Sequence, residues 1–143
     1  MDYRFFDRAD HATLGAFFAS TFTDSEGAEE GMLVGDLADQ LTLSLDQRDV
    51  LGLACYDKNE IIGAIFFSRL FVEQAIDLFM LAPVAVSTAH QRQGVGQALI
   101  SHGLDQMRLR EVDVVVTYGD PAFYAKLGFV PLSQDRIRPP MEL

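Results

Sequence analysis

The sequence predicts an α+β fold: one central mixed sheet sandwiched by helices, in a single domain over residues 1–143. Three observations predict it. The apolar pattern changes period along the chain in the order strand, helix, helix, three strands, helix, strand, helix, strand. Hydrophobic residues make up 49% of a 143-residue chain, enough to bury roughly two-thirds of the surface that the unfolded chain exposes. No internal repeat, low-complexity stretch or linker divides it.

Residues 3–6 read as a short first strand, and Asp10 stands where a helix cap is expected. Leu14, Phe17, Phe18 and Phe22 then fall on one helical face. Thr23 and Glu26 have the spacing of a capping box for a second helix. That helix carries Leu33, Leu37 and Leu41 as a stripe expected to face the core, and Gly27 and Gly31 weaken its first turns. Residues 50–56 and 61–70 are strand-like, and the polar Asp57-Lys58-Asn59-Glu60 between them predicts a hairpin. A third run, residues 75–86, contains Pro83, which cannot donate to a ladder and so marks an edge or a bulge.

After Val86 the chain turns polar through Ser87, Thr88, Ala89 and His90. A helix follows to about Arg110, with Val95, Leu99, Leu104 and Met107 on its apolar side. The β-branched run 112–117 predicts a buried strand. Asp120 and Pro121 open a short helix that Gly128 closes, and residues 129–132 are a last strand candidate.

The net charge of −10 argues against a polyanionic partner such as nucleic acid. The charge is uneven. Glu26, Glu29, Glu30, Asp36 and Asp39 crowd the first third, while Arg92, Arg108, Arg110, Lys126, Arg136 and Arg138 lie in the last third. The single cysteine, Cys55, sits in an apolar run and reads as a small buried hydrophobe rather than a nucleophile or metal ligand. No metal site is expected. No apolar run approaches the ~20 residues of a membrane helix, and the N-terminus lacks the pattern of a signal peptide. The expectation is a soluble cytoplasmic protein with no membrane partner.

The feature that points to chemistry is Gln91-Arg92-Gln93-Gly94-Val95-Gly96, between a strand and a helix. A helix N-terminus offers unpaired backbone N–H groups and a partial positive charge. Glycines without Cβ let a phosphate approach those groups closely. Arg92 adds a cation beside them. Leu99 stands where a dinucleotide fingerprint needs its third glycine, and no Gly-Lys-Ser/Thr follows, so neither a Rossmann nor a Walker loop is present. A bare G-x-G is otherwise an ordinary turn.

The pattern Q-x-x-G-x-G after the apolar strand Leu81-Ala82-Pro83-Val84-Ala85-Val86 resembles the coenzyme A signature of the GNAT acyltransferases. Phe123-Tyr124-Ala125-Lys126-Leu127-Gly128-Phe129 resembles that family's second signature, a tyrosine before Leu-Gly-Phe. The stretch from Tyr118 to Tyr124 resembles a branch of predicted bacterial N-acetyltransferases. The resemblance covers most of the chain beyond residue 50. It departs at Thr117, where many members carry Asn, and in the short segment 133–143, where the family often has a seventh strand.

The resemblance implies a GNAT fold: a mixed, mostly antiparallel sheet whose fourth and fifth strands splay apart, flanked by about four helices. It implies acetyl-CoA as co-substrate in that gap. The cofactor-binding residues would be Val84, Ala85, Val86, Gln91, Arg92, Gln93, Gly94, Val95, Gly96 and Gln97. Val84 and Val86 would bond the pantetheine amides, a free N–H at Ala85 would polarise the thioester carbonyl, and Tyr124 would protonate the departing thiolate. The general base stays open among Asp77, Glu73, Asp120 and a water chain. The implied activity is transfer of an acetyl or short acyl group to an amine acceptor by direct attack. The alternative is a catalytically weak acetyl-CoA sensor or partner module of the same fold, and the charge argues against a third reading, action on aminoacyl-tRNA. Members of the family are often homodimers, and nothing in the sequence selects that state.

Overall fold

The computed structural model of the chain describes residues 1–46 and 48–131. The elements are β1 (Asp2–Phe5), α1 (His11–Glu26), α2 (Ala28–Leu43), β2 (Val50–Asp57), β3 (Glu60–Leu70), β4 (Leu78–Val86), α3 (Val95–Leu109), β5 (Val114–Val116) and α4 (Pro121–Ala125), with 3₁₀ turns at Arg8–Asp10 and Thr88–His90. Five strands form one sheet in the order β1-β2-β3-β4-β5. The first three pairings are antiparallel and β4–β5 is parallel.

Both faces of the sheet are covered, which is why β2 and β3 read as nearly continuous apolar runs. On one face Leu53, Phe67, Phe79 and Leu81 pack under Leu99, Ile100 and Met107 of α3. On the other, Ala54, Ala64 and Phe66 meet Leu14 and Phe18 of α1 and Ala38 of α2. Lys58 and Asn59 both take positive φ, as a two-residue hairpin turn demands, and Asp57 pairs with Glu60. Pro83 forms the expected bulge. Ile65 opposes Val84 and Phe67 opposes Leu81, so Phe66 faces both Ala82 and Pro83. The Ala82–Pro83 peptide is cis.

Five expectations change. Of the stripe Leu33, Leu37, Leu41 only Leu41 packs against the core: Leu33 and Leu37 are 60% and 48% exposed. The inward face of α2 is instead Gly31, Gly35, Ala38 and Thr42. A Cβ on Gly35 would stand 2.7 Å from the Ala19 Cβ, so small residues let the two helices approach where leucine would hold them apart. Thr23 and Glu26 make no capping box because both lie inside α1, and Gly27, at φ +99°, turns the chain into α2. Asp10 does not cap α1 with its side chain. Its carboxylate accepts from the Asp7 amide, and Asp7 caps the preceding 3₁₀ turn. The strand expected over 112–117 is only three residues long and half-buried. No strand forms over residues 129–131, and residues 132–143 lie outside the described residues. No helix among the described residues is long and apolar enough to cross a membrane.

Candidate active site

The parallel pairing of β4 with β5 ends at Met80 opposite Val116, while β4 runs on to Val86. Beyond that point the sheet splays. The Ser87 amide donates to the Ile62 carbonyl at 2.8 Å, on the β3 side. Alternation along the strand puts the Ala85 amide on that same side, opposite Ala64, and turns the amides of Val84 and Val86 toward the gap. The free N–H expected at Ala85 is thus committed to β3, and the donor facing the gap belongs to Val84. The Val86 carbonyl is held by Gln91 Nε2 at 3.2 Å.

Gln93 Nε2 reaches the Ala89 carbonyl at 3.4 Å, so the two glutamines that frame the motif fasten their own loop. Arg92 is exposed and takes φ +64°. Gly94 is the N-cap of α3 in the left-handed region, φ +81°, with no side-chain cap, and a Cβ there would meet nothing within 4 Å. Ala98 is the first residue of α3 to donate back to Gly94, which leaves the amides of Val95, Gly96 and Gln97 without intrahelical partners. No acidic residue offsets the helix dipole in the first turn, whereas α2 carries Glu29 and Glu30 in its own. A Cβ on Gly96 would come 3.3 Å from Val86 Cγ2 and 3.7 Å from Phe123 Cζ, so this glycine lets α3, β4 and α4 converge. The His90 Nδ1 atom, at the head of the loop, is buried without a hydrogen-bond partner.

Tyr124 reaches the splay from the other side. Asp120 caps α4 by accepting from the Ala122 amide at 3.0 Å, and Pro121 takes the first helical position. The Tyr124 ring packs edge-on against Phe123 and Phe129, with centroids 5.1 and 5.6 Å away. Burial raises its phenol above the ordinary value, and the Thr117 hydroxyl partly opposes the rise. Thr117 itself donates to the Leu81 carbonyl at 2.8 Å. Sequence reasoning marked Thr117 only as a departure, although a hydroxyl at the end of a strand was the available signal. A cavity of about 600 Å³ opens beside this cluster, with Thr117, Tyr118, Tyr124 and Phe129 in its wall. The residues 84–86 and the 91–97 loop lie outside it.

The candidate bases do not gather here. Asp77 is ion-paired to Arg69, Asp120 caps α4, and Glu73 is exposed. His102 stacks on Tyr3 with centroids 4.5 Å apart. Among the described residues, no group of three or more His, Cys, Asp or Glu is arranged to hold a metal.

A parallel pair that parts after three residues, with a helix opening bare beside the parting, is the arrangement of an acyl-CoA N-acyltransferase domain. The chain belongs to the GNAT acetyltransferase family: residues 49–131 match the family model for the acetyltransferase (GNAT) domain. The uncharacterized N-acetyltransferase YhbS of Escherichia coli K12 is 35% identical over 107 residues, 73% of this chain and 60% of that protein. The uncharacterized N-acetyltransferase YjhQ of the same organism is 31% identical over 104 residues, 71% of this chain and 58% of that one. The chain therefore spans about 60% of the length of the curated relatives it matches. Among solved structures, a GNAT family acetyltransferase from Brucella melitensis in complex with acetyl-CoA shares 26% identity at a TM-score of 0.78, over 91% of this chain and 82% of that one.

Proposed function

We propose that the protein transfers an acetyl or similar short acyl group from acetyl-CoA to a primary amine by direct attack. The observation that carries this reading is the open edge of β4 beside the uncapped N-terminus of α3. Together they offer unpaired backbone donors at Val84 and Val86 and again at Val95, Gly96 and Gln97. The pyrophosphate would lie on the amides of Val95, Gly96 and Gln97, with Gly94 leaving room for it. The pantetheine amides would pair with the Val84 carbonyl and the Val86 N–H in place of a fifth-strand neighbour, which leaves the Val84 N–H for the thioester. The relative solved with acetyl-CoA supports the choice of co-substrate.

In the reaction, the neutral amine forms a bond to the thioester carbon and negative charge grows on the carbonyl oxygen. The Val84 N–H, fixed toward the gap, stabilises that charge better than it stabilises the ground state. The C–S bond then breaks, and Tyr124 gives its proton to the leaving sulfur. The new amide loses one proton to solvent, and solvent returns one to Tyr124, so free CoA and N-acylated amine are the only net products. Exposed Glu26, Glu29, Glu30 and Asp36 on α1 and α2 suit a cationic acceptor approaching from that side. The relatives come from Escherichia coli, and Cys55 is buried and unpaired; both support a reduced bacterial cytoplasm as the setting.

The engagement of Asp77 and Asp120 elsewhere favours a second reading, an acetyl-CoA sensor that turns over slowly. One experiment separates the two: thermal melting with acetyl-CoA, then release of free CoA across an amine panel. A ligand at a hundredfold excess over Kd stabilises the folded state by roughly 2.7 kcal/mol. Acetyl-CoA should raise the melting temperature by several degrees, and NAD and ATP by less, because neither carries a pantetheine arm. Equal shifts from all three would reduce the site to a generic phosphate cradle. Binding without amine-dependent CoA release would establish the sensor.

A further inference from the structure

Helix α2 turns its small residues inward and leaves larger apolar side chains outside. Met32 is 67% exposed, and Leu33, Leu37 and Leu43 are exposed with it. At helical spacing Leu33 and Leu37 form one row, and Met32, Asp36 and Leu43 a second beside it. Glu29 and Glu30 are exposed at the N-terminal end of these rows. No lysine or arginine lies on the helix, and none stands anywhere between Arg8 and Arg48. The one histidine in that stretch, His11, is paired with Asp39 at 2.7 Å.

An exposed apolar patch rimmed by charge is a surface for a partner. The sign of the charge decides which partner. Nucleic acids and anionic lipid surfaces would be repelled. A second copy meeting the patch through its own α2 brings more carboxylates and no basic residue to answer them. We propose that the outward face of α2 is the docking surface for a cationic polypeptide, which lays apolar side chains on Leu33 and Leu37 and lysines or arginines against Glu29, Glu30 and Asp36. The surface leads to the active site. Asp24, near the end of α1, accepts from the Thr88 hydroxyl at 2.8 Å, so the turn at Gly27 that begins α2 lies beside the entry to the 91–97 loop. A polypeptide lying along α2 therefore has one end near the splay. On the acetyl-transfer reading, on which this step rests, the acceptor is a lysine side chain or N-terminal amine of such a polypeptide rather than a small free amine.

Docking is tested without turnover. The probe is a synthetic helical peptide with leucines on one face and lysines on the other, titrated calorimetrically beside a peptide with glutamine in place of every leucine. The leucine peptide should bind roughly 10- to 100-fold more tightly, the worth of two leucines half-covered, and more weakly as salt rises. The double variant Leu33→Gln, Leu37→Gln changes exposed helical positions to a residue of similar helix propensity, so it should lose that preference with little change in Tm. Glu29→Gln with Asp36→Asn should weaken both peptides. Equal affinity of the two peptides for the wild type, or an unchanged preference in the leucine variant, overturns the surface. A wild-type dimer in sedimentation that the leucine variant dissolves overturns it as well, because a second copy then occupies the face. In steady-state assays the leucine variant should raise the KM for the lysine peptide and leave the KM for a small amine untouched; an unchanged KM for the peptide overturns the acceptor step. Peptide binding with no release of CoA from any amine would sink the acetyl-transfer reading and leave the docking surface standing.

Discussion

Replacing Gly94 by alanine separates the cost of a strained turn from the cost of a blocked ligand. Gly94 sits at φ +81° and Gly128 at φ +93°, and a Cβ at either would meet nothing within 4 Å. Alanine at either position therefore pays for left-handed backbone alone, about 1–2 kcal/mol. For a domain of this size that lowers Tm by roughly 3–8 °C. The two sites differ in what they face. The space beside Gly94 fronts the free amides of α3, whereas Gly128 closes the turn that follows α4. A methyl in the first space would cost a bound pyrophosphate one charge-assisted hydrogen bond, worth about 1.5–3 kcal/mol, or roughly 10- to 100-fold in Kd. Calorimetric titration of acetyl-CoA into the two variants, both checked by melting, gives the comparison. The expected result is equal loss of stability with weakened binding in Gly94→Ala only. Equal affinities in the two variants would refute the placement of the phosphates.

Tyr124→Phe keeps the edge-on packing with Phe123 and Phe129 and removes the proton, so turnover should fall about 10²-fold while the affinity for acetyl-CoA holds. Steady-state release of free thiol measures the first and calorimetry the second. Cys55→Ala should leave turnover nearly intact, because direct transfer needs no thiol; the buried void costs about 1 kcal/mol, read as a lower Tm. Gly35→Ala should destabilise by about 1–3 kcal/mol in urea unfolding, because its Cβ would come 2.7 Å from the Ala19 Cβ. Burial raises the ionisations of Cys55, Tyr3, Tyr56 and Tyr124 above their ordinary values. The unfolded chain therefore loses these protons first. Their contribution to stability is whole below about pH 9 and drains away as pH climbs through the raised values, so Tm measured from pH 8 to 11 should fall.

The sheet was legible because its signals are local. The hairpin followed from a polar tetrapeptide between apolar runs, the β4 bulge from one proline, and the α4 cap from Asp120-Pro121. The loop from Gln91 to Gly96 was legible as a helix entry, and the resemblance added the ligand proposed for it. Helix α2 was misread because hydrophobicity ranks leucine above glycine, whereas close contact between helices is decided by shape. Gly31 and Gly35 reach Gly15 and Ala19 where Leu33 and Leu37 cannot. Ala85 was misassigned as the donor because the side to which an amide points depends on register against β3. That register is fixed by the bulge at Ala82 and Pro83, not by the composition of the strand. The contact made by Thr117 was hidden for a related reason: its hydroxyl reaches the Leu81 carbonyl only after β5 has stopped short.

An unzipped strand edge is also a hazard. From Ala82 to Val86, β4 offers amides and carbonyls that any extended peptide can copy, including the same stretch of another chain. The bulge and Pro83 interrupt that template: a proline has no N–H to give, and a bulged strand twists out of line with an incoming one. A flexible pantetheine arm, which needs only a few well-placed donors, is less sensitive to such a break than a second β-strand, which needs an unbroken row. The irregularity in β4 thus makes its open edge a poorer template for a second β-strand than for a small amide-bearing ligand.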